Sequence, residues 1–588
     1  MLFSFLVTSS LALAAKALQK CKCLPGDPCF PSAAKWNTLS SSLSQPLITN
    51  QTPLGSVCYR SSSNFNAGAC SSVQKIEAGA DFRVSVPNAV QWVNWEELPS
   101  ATNNTILGCP FDPQGPNVTC HQGRVPSYVV NVTRIEDIVE TIKFASAHNL
   151  HLVVKNTGHE NLGRPFGVGS VELFTHNMQG SNFTDSFVPK GAPHGTPGAY
   201  AVTVEPGVQW GPLYELADAK NRTVVGGIGA GGTVGAGGGW PAGGGHSILS
   251  PFYGLGVDNI LQFTVVLPSG SHVTTNKYEN TDLFWALRGG GGPSFGVITS
   301  TTYRTHPNIP YTAAFYVATA NSSDTFLALA ELFNTHHNAI ADSGWAGFWP
   351  FNNNTLYLTL LAQGSPPVNA SSNATLESFY AASAAVPGVN VTLNLTVAYP
   401  TFFSWYHDNF LDSSLGFGYN YSVGDATGIR IAVSSWLVPR DLFDSHPADL
   451  AKAWQGIGNA RPFMVGGGAV AATDPDSAAV TPAFRTMISD IGATGTWDEN
   501  ATPEEIQAVR QTVSDQIEPL RQLGPIPAGG QYINEPDYIE KNWQGAYWGD
   551  HYPRLLKIKK AIDPNDLFIV YKGVNSEAWD EQVVCKTV

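Results

Sequence analysis

With 588 residues, 43% of them apolar and 13% charged, the chain has material for two or three packed domains and is too apolar for a disordered polymer. A net charge of −14 with no basic stripe excludes nucleic acid and other polyanions as partners. Beyond the first residues no run of about eighteen apolar side chains occurs, so no membrane span is expected.

Residues 1–17 form an apolar stretch ending in Ala15-Lys16-Ala17 and read as a secretory signal, the competing reading being a buried N-terminal helix. Seven of the eight cysteines fall between Cys21 and Cys120 without metal spacing, which predicts disulfides stapling an N-terminal arm over 18–120. Cys58 with Cys70 and Cys109 with Cys120 would close short loops, but spacing leaves the connectivity open. Fourteen Asn-x-Ser/Thr sites, among them Asn117, Asn182, Asn369, Asn390 and Asn394, predict a glycosylated surface. Both features point to an extracellular protein.

A strand is predicted over Ser127–Val132, then a helix opened by a capping box at Thr133-Arg-Ile-Glu136 and carried by Ile135, Ile138, Val139 and Ile142. It should stop near Asn149, before a second strand at Leu150–Val154. Ala201–Val204 reads as a strand and Trp210–Lys220 as a helix. Asn259–Leu267 and Ser271–Thr275 read as a hairpin about Pro268-Ser-Gly270, followed by a helix over Asp282–Arg288. From about residue 310 the pattern becomes that of a second α+β domain, and the last 60 residues are rich in Trp and Tyr.

Three glycine-laden stretches, Gly158–Gly163, Gly226–Gly245 and Gly289–Gly296, can bring backbone N–H groups close to an anion such as a pyrophosphate. Gly227-Ile-Gly229-Ala-Gly-Gly232 matches G-x-G-x-x-G formally. That fingerprint must open a helix, and here glycines run on to Gly239 and then Trp240-Pro241, so the Rossmann reading fails.

Four stretches in order resemble the FAD-binding (PCMH-type) domain shared by vanillyl-alcohol oxidase and p-cresol methylhydroxylase, in its berberine-bridge-enzyme-like branch. They are Val153-Val-Lys-Asn-Thr-Gly-His159 with Leu162-Gly163; Thr233-Val-Gly235 through Gly243-Gly-Gly-His-Ser247 to Tyr253-Gly-Leu-Gly-Val-Asp-Asn259; Asp282–Ile298; and Tyr552-Pro-Arg-Leu-Leu-Lys-Ile-Lys559 with Asp563-Pro564 and Phe568. The resemblance covers roughly residues 120–305 and 530–575. It implies an α+β, two-domain fold: an FAD domain at 121–308, an α+β substrate domain at 309–525 built on an antiparallel sheet backed by helices, and a C-terminal segment at 526–588 that completes the FAD domain.

The resemblance also implies FAD bonded covalently through His159. A cysteinyl bond is not expected, because Gly231 stands where relatives carry that cysteine. Asn156, Thr157, Gly158, Glu160, Asn161, Leu162 and Gly163 would surround the flavin with His159. Gly226, Thr233, Val234, Gly235, Gly238, Gly243, Gly244, Gly245, Ser247, Val257, Asp258 and Val297 would complete its seat. A tether suits an exported enzyme that cannot reload a lost cofactor.

Tyr532 and Asn534 match the family's Tyr-x-Asn segment facing the flavin, although Tyr532 could equally be a core residue with a satisfied hydroxyl. His551 replaces the usual asparagine and is either an acid–base group or a hydrogen-bonding substitute. Tyr406, His407, Asp408, Tyr419 and Tyr421 add titratable groups without a motif. His336-His337 lacks a third ligand, and no metal is expected. The implied activity is oxidation of a small-molecule alcohol, phenol or carbohydrate by hydride transfer to flavin N5. Oxygen is the favoured acceptor, with H2O2 as product, because Val234 matches a position where members of the family with compact side chains admit oxygen. A dehydrogenase or oxidative cyclase of secondary metabolism, and a secreted flavoprotein without turnover, are the alternatives. A monomer or weak dimer is expected.

Overall fold

The computed structural model describes residues 21–412 and 427–587, except 101, 103, 113–117 and 367–369. The segment 1–17, the sequons at Asn117 and Asn369, and Tyr419 and Tyr421 lie outside the described residues.

A small sheet orders Ile48–Thr49, Tyr128–Asn131, Val171–Phe174 and Leu152–Lys155, the last three parallel. Helix Ile135–Ala147 makes the crossover and buries Ile138, Ile142 and Ala145 at helical spacing. Its cap differs from the predicted box. Glu136 is exposed, and Asp137 instead accepts from the backbone N–H groups of Thr133 (3.2 Å) and Arg134 (3.3 Å). Asp137 also accepts from the N–H of Ser44 at 2.8 Å. Burial beside the N-terminal arm selects the residue that can satisfy all three donors.

A five-stranded antiparallel sheet follows, ordered His272–Asn276, Ile260–Val266, Val297–Arg304, Ala199–Val204 and Ser181–Phe187. The predicted hairpin is its edge. Residues 311–496 supply a nine-stranded antiparallel sheet, backed by helices that include Ser323–Asp342 and Pro503–Leu523. In its edge strand Val389–Tyr399, half-buried and exposed residues alternate, which sets Asn390 and Asn394 on the exposed face.

All eight cysteines pair: Cys58 with Cys70, Cys109 with Cys120, Cys23 with Cys29, and Cys21 with Cys585. The last joins the arm to the far end of the chain, 564 residues away. The C-terminal segment returns to the third glycine stretch, where Trp548 Nε1 donates to Gly289 O (2.9 Å) and buried Lys559 donates to Ser294 O (2.8 Å). Among the described residues, no helix is long and apolar enough to cross a membrane.

Candidate active site

The loop leaving strand Leu152–Lys155 opens onto two cavities of about 290 Å³ and about 90 Å³. They share Asn156, His159, Glu160, Arg164, Gly239 and Gly292 as walls. Two glycines show what the local sequence requires. Gly158 has φ +78°, and a Cβ there would stand 3.0 Å from Lys155 Cε. At Gly243 a Cβ would lie 2.3 Å from Asn534 Oδ1, so only glycine lets that asparagine approach.

His159 Nε2 lies 2.6 Å from Thr233 Oγ1. Its accessible edge lines the cavities, while burial of the surrounding region and then the positive charge of Lys155 lower its pKa to about 3. Lys155 is itself buried and donates to the carbonyls of Val86 (2.6 Å) and Arg83 (3.3 Å). Burial lowers its pKa to about 8 against the opposing pull of Glu172. The imidazole is therefore a neutral group in a desolvated corner.

On the opposite wall, Tyr532 is buried and its hydroxyl accepts from Asn534 Nδ2 at 2.7 Å. Burial, reinforced by Glu535, pushes the phenol well above its ordinary value. Asn161 Nδ2 donates to Asn534 O (2.7 Å), tying the His159 loop to the C-terminal segment.

A third group adjoins them. His246 Nε2 is 3.0 Å from Glu535 Oε1, and its ring packs 4.8 Å from Tyr532 and 5.1 Å from Phe463. Buried Asp490 places an oxygen within 4.8 Å of both partners. Burial, and next Glu535, raise the Asp490 pKa to about 7, while His246 opposes. For His246 burial favours the neutral form, yet Glu535 and Asp490 outweigh it and raise the imidazole pKa.

Among the described residues, the cavity walls contain buried polar atoms with no hydrogen-bond partner, namely Arg164 Nη2, Ser294 Oγ and Asn161 Oδ1, while Glu160 Oε1 faces Arg164 Nη1 at 3.6 Å. A Cβ at Gly239 would meet nothing within 4 Å. Unpaired donors beside open glycine walls suit a pyrophosphate, and unpaired acceptors suit hydroxyl donors, so the residues fit FAD.

Of the residues singled out from sequence, Asn156, Thr157, His159, Glu160, Asn161, Gly226, Val234, Gly235, Ser247, Tyr532 and Asn534 line the larger cavity. Gly158, Gly238 and Val297 line the smaller. Thr233 acts through His159, and Gly243, Gly244 and Gly245 back the walls against Asn534, Tyr532 and Trp240. Leu162 and Gly163 pack elsewhere, at Trp95 for Gly163. Val257 is buried, and Asp258 is held by Arg485 at 2.7 and 2.8 Å. His551 does not line either cavity: its nitrogens are 3.0 Å from Val480 O and 3.0 Å from Asp476 Oδ1. Tyr406, His407 and Asp408 are likewise outside both walls.

Residues 126–276 match the family model described as an FAD binding domain, and 531–575 match the model described as berberine and berberine like. An uncharacterized FAD-linked oxidoreductase of Arthroderma benhamiae is 35% identical over 593 residues, covering 96% of each chain. The chain belongs to the VAO-type, berberine-like FAD-linked oxidoreductases.

A VAO-type flavoprotein oxidase of Thermothelomyces thermophilus is 32% identical to the oxidoreductase, over 95% of this chain and 94% of that one. The solved structure of a VAO-type flavoprotein from Myceliophthora thermophila covers 95% of the oxidoreductase and 98% of its own chain, with a TM-score of 0.82 and 29% identity. A glucooligosaccharide oxidase from Acremonium strictum, which carries a 6-S-cysteinyl, 8α-N1-histidyl FAD, shares the fold at TM-score 0.62 and 21% identity, over 76% and 91% of the chains. The two-domain fold expected from sequence and the FAD cofactor therefore stand.

Four residues not singled out from the sequence also stand at or beside the cavity: His246, Glu535, Arg164 and Asp490. His246 sits inside the Gly243–Ser247 motif, and Glu535 directly follows the Tyr-x-Asn segment; adjacency to those motifs was the signal available. Arg164 likewise directly follows Leu162-Gly163, whereas Asp490, in strand Met487–Thr496, reaches the site only through the fold.

Proposed function

We propose that the oxidoreductase is a secreted, glycosylated oxidase that carries FAD on His159 alone, oxidises an alcohol, phenol or carbohydrate, and passes the electrons to O2. The observation that carries this reading is the meeting of neutral His159 and the Tyr532–Asn534 pair on one cavity. FAD, when bound, supplies the acceptor for a hydride from the substrate carbon and returns the electrons to O2 as H2O2.

The chain's own residues do the rest. Thr233 engages His159 Nε2, which leaves Nδ1 as the nitrogen for a covalent bond. Burial keeps that lone pair unprotonated throughout the ordinary pH range. All eight cysteines are paired, so no thiol remains for a second link. Trp92, Trp240, Phe348 and Phe463 give the cavity aromatic walls suited to a ring, with Arg461, Thr494 and Glu535 as polar contacts. Val234 lines the same space with a compact side chain, consistent with oxygen access. Four disulfides and exposed sequon asparagines at Asn182, Asn390 and Asn394 support export and glycosylation.

The test is an anaerobic panel of alcohols, phenols and oligosaccharides monitored by flavin absorbance, followed by admission of air. Bleaching by one class, then recovery of colour with H2O2 equal to the substrate consumed, is the expected result. Bleaching without recovery in air would replace the oxidase with a dehydrogenase, and no bleaching by any compound would remove the activity.

A further inference from the structure

Beyond the flavin seat, one group in the cavity has the geometry of acid–base machinery. His246 lies in the wall with Nε2 on Glu535 Oε1 at 3.0 Å, and among the described residues no side chain bonds its Nδ1. Its ring is held against Tyr532 at 4.8 Å and Phe463 at 5.1 Å. Asp490, 0% exposed on strand Met487–Thr496, joins the cluster with an oxygen within 4.8 Å of both His246 and Glu535, and its Oδ1 has no hydrogen-bond partner among the described residues. A carboxylate that accepts the N–H of one imidazole nitrogen fixes the tautomer, orients the ring and leaves the other nitrogen as a base.

We propose that His246 is the residue that removes the substrate's hydroxyl proton, with Glu535 and Asp490 as the positioning residues behind it. The assignment rests on the oxidase reading and names the base that reading leaves open. Tyr532 is the weaker base: its hydroxyl already accepts from Asn534, and burial keeps the phenol protonated, which suits it to donate to the substrate oxygen. In the step, the substrate O–H proton passes to His246 Nδ1. With FAD bound, the C–H hydrogen would leave with its electron pair to the cofactor as the carbon–oxygen double bond forms. That hydride and the proton from His246 would be the two hydrogens of H2O2 once O2 takes the electrons. The charged and titratable groups facing His246 are Glu535 and Tyr532 from the C-terminal segment, Asp490 from its strand, and Arg461 from the cavity wall.

The experiment compares His246→Asn, Glu535→Gln and the parent by anaerobic stopped-flow reduction across pH, with bound flavin measured first in each. A second arm titrates the His246 resonance in 15N-histidine-labelled parent and Glu535→Gln protein, assigned by its absence from His246→Asn. Loss of the base should slow reduction about 100-fold or more in His246→Asn. Glu535→Gln should slow it about tenfold and move the rising limb of the pH profile to lower pH, because an imidazole without its carboxylate loses its proton more easily. The His246 resonance should titrate at lower pH in Glu535→Gln than in the parent. Reduction in His246→Asn within about threefold of the parent would overturn the assignment while leaving the oxidase reading intact. If no compound reduces even the parent, the oxidase reading fails, and the resonance arm then decides by itself: an unmoved titration in Glu535→Gln overturns the dyad.

Discussion

Two histidines face one cavity, and their surroundings push them in opposite directions. Burial, with the positive charge of Lys155 behind it, keeps His159 neutral, and its ring partner Thr233 offers only a hydroxyl. His246 is also surrounded by protein, yet Glu535 and Asp490 outweigh burial and leave it the more basic imidazole. The same side chain is thereby suited to the two tasks proposed for it: a neutral ring for a lasting bond, a more basic ring for taking and returning a proton. The lesson is that a histidine's role is written in its second neighbour, hydroxyl or carboxylate, more than in its exposure.

Single substitutions in the two corners should disturb one and leave the other. The largest effect is expected from His159→Ala: all flavin should be released by acid precipitation, whereas parent flavin should stay with the pellet. Thr233→Val should come next, since it removes the hydroxyl that holds Nε2. Covalent incorporation into flavin-free protein should slow about tenfold, read by in-gel flavin fluorescence over time, with the His246 pH limb unchanged. Combining Thr233→Val with Glu535→Gln should give additive effects on flavin reduction, within about 0.5 kcal/mol, if the corners are independent. Tyr532→Phe should slow flavin reduction about tenfold without moving the pH limb, because it removes a donor and not the base. Replacing both Cys21 and Cys585 with Ser should cost about 2–4 kcal/mol of stability, measured as a lower Tm, with reduction rates unaffected in both corners.

Much of this was legible in the chain itself. The βαβ start, the hairpin at Pro268-Ser-Gly270 and the His159 loop are local patterns, and local patterns survive folding. The capping box slipped by one residue because Asp137 gains a donor from Ser44, a partner 93 positions away. His551 showed the reverse. Its neighbours in sequence suggested the flavin, but the fold turns it to Val480 and Asp476. The acid partners of His246 were the least legible, since Asp490 lies 244 positions from it, on a strand whose pattern reports only burial. Cys585 pairing with Cys21 was hidden for the same reason: spacing carries no information about a contact made across the whole chain.

The proposed covalent bond between His159 and the flavin has one direct test. Peptide mapping by mass spectrometry of purified protein should find the peptide containing residue 159 carrying the mass of the flavin, with its fluorescence, and the peptide containing His246 unmodified. An unmodified His159 peptide from yellow protein whose flavin is lost in acid would contradict it.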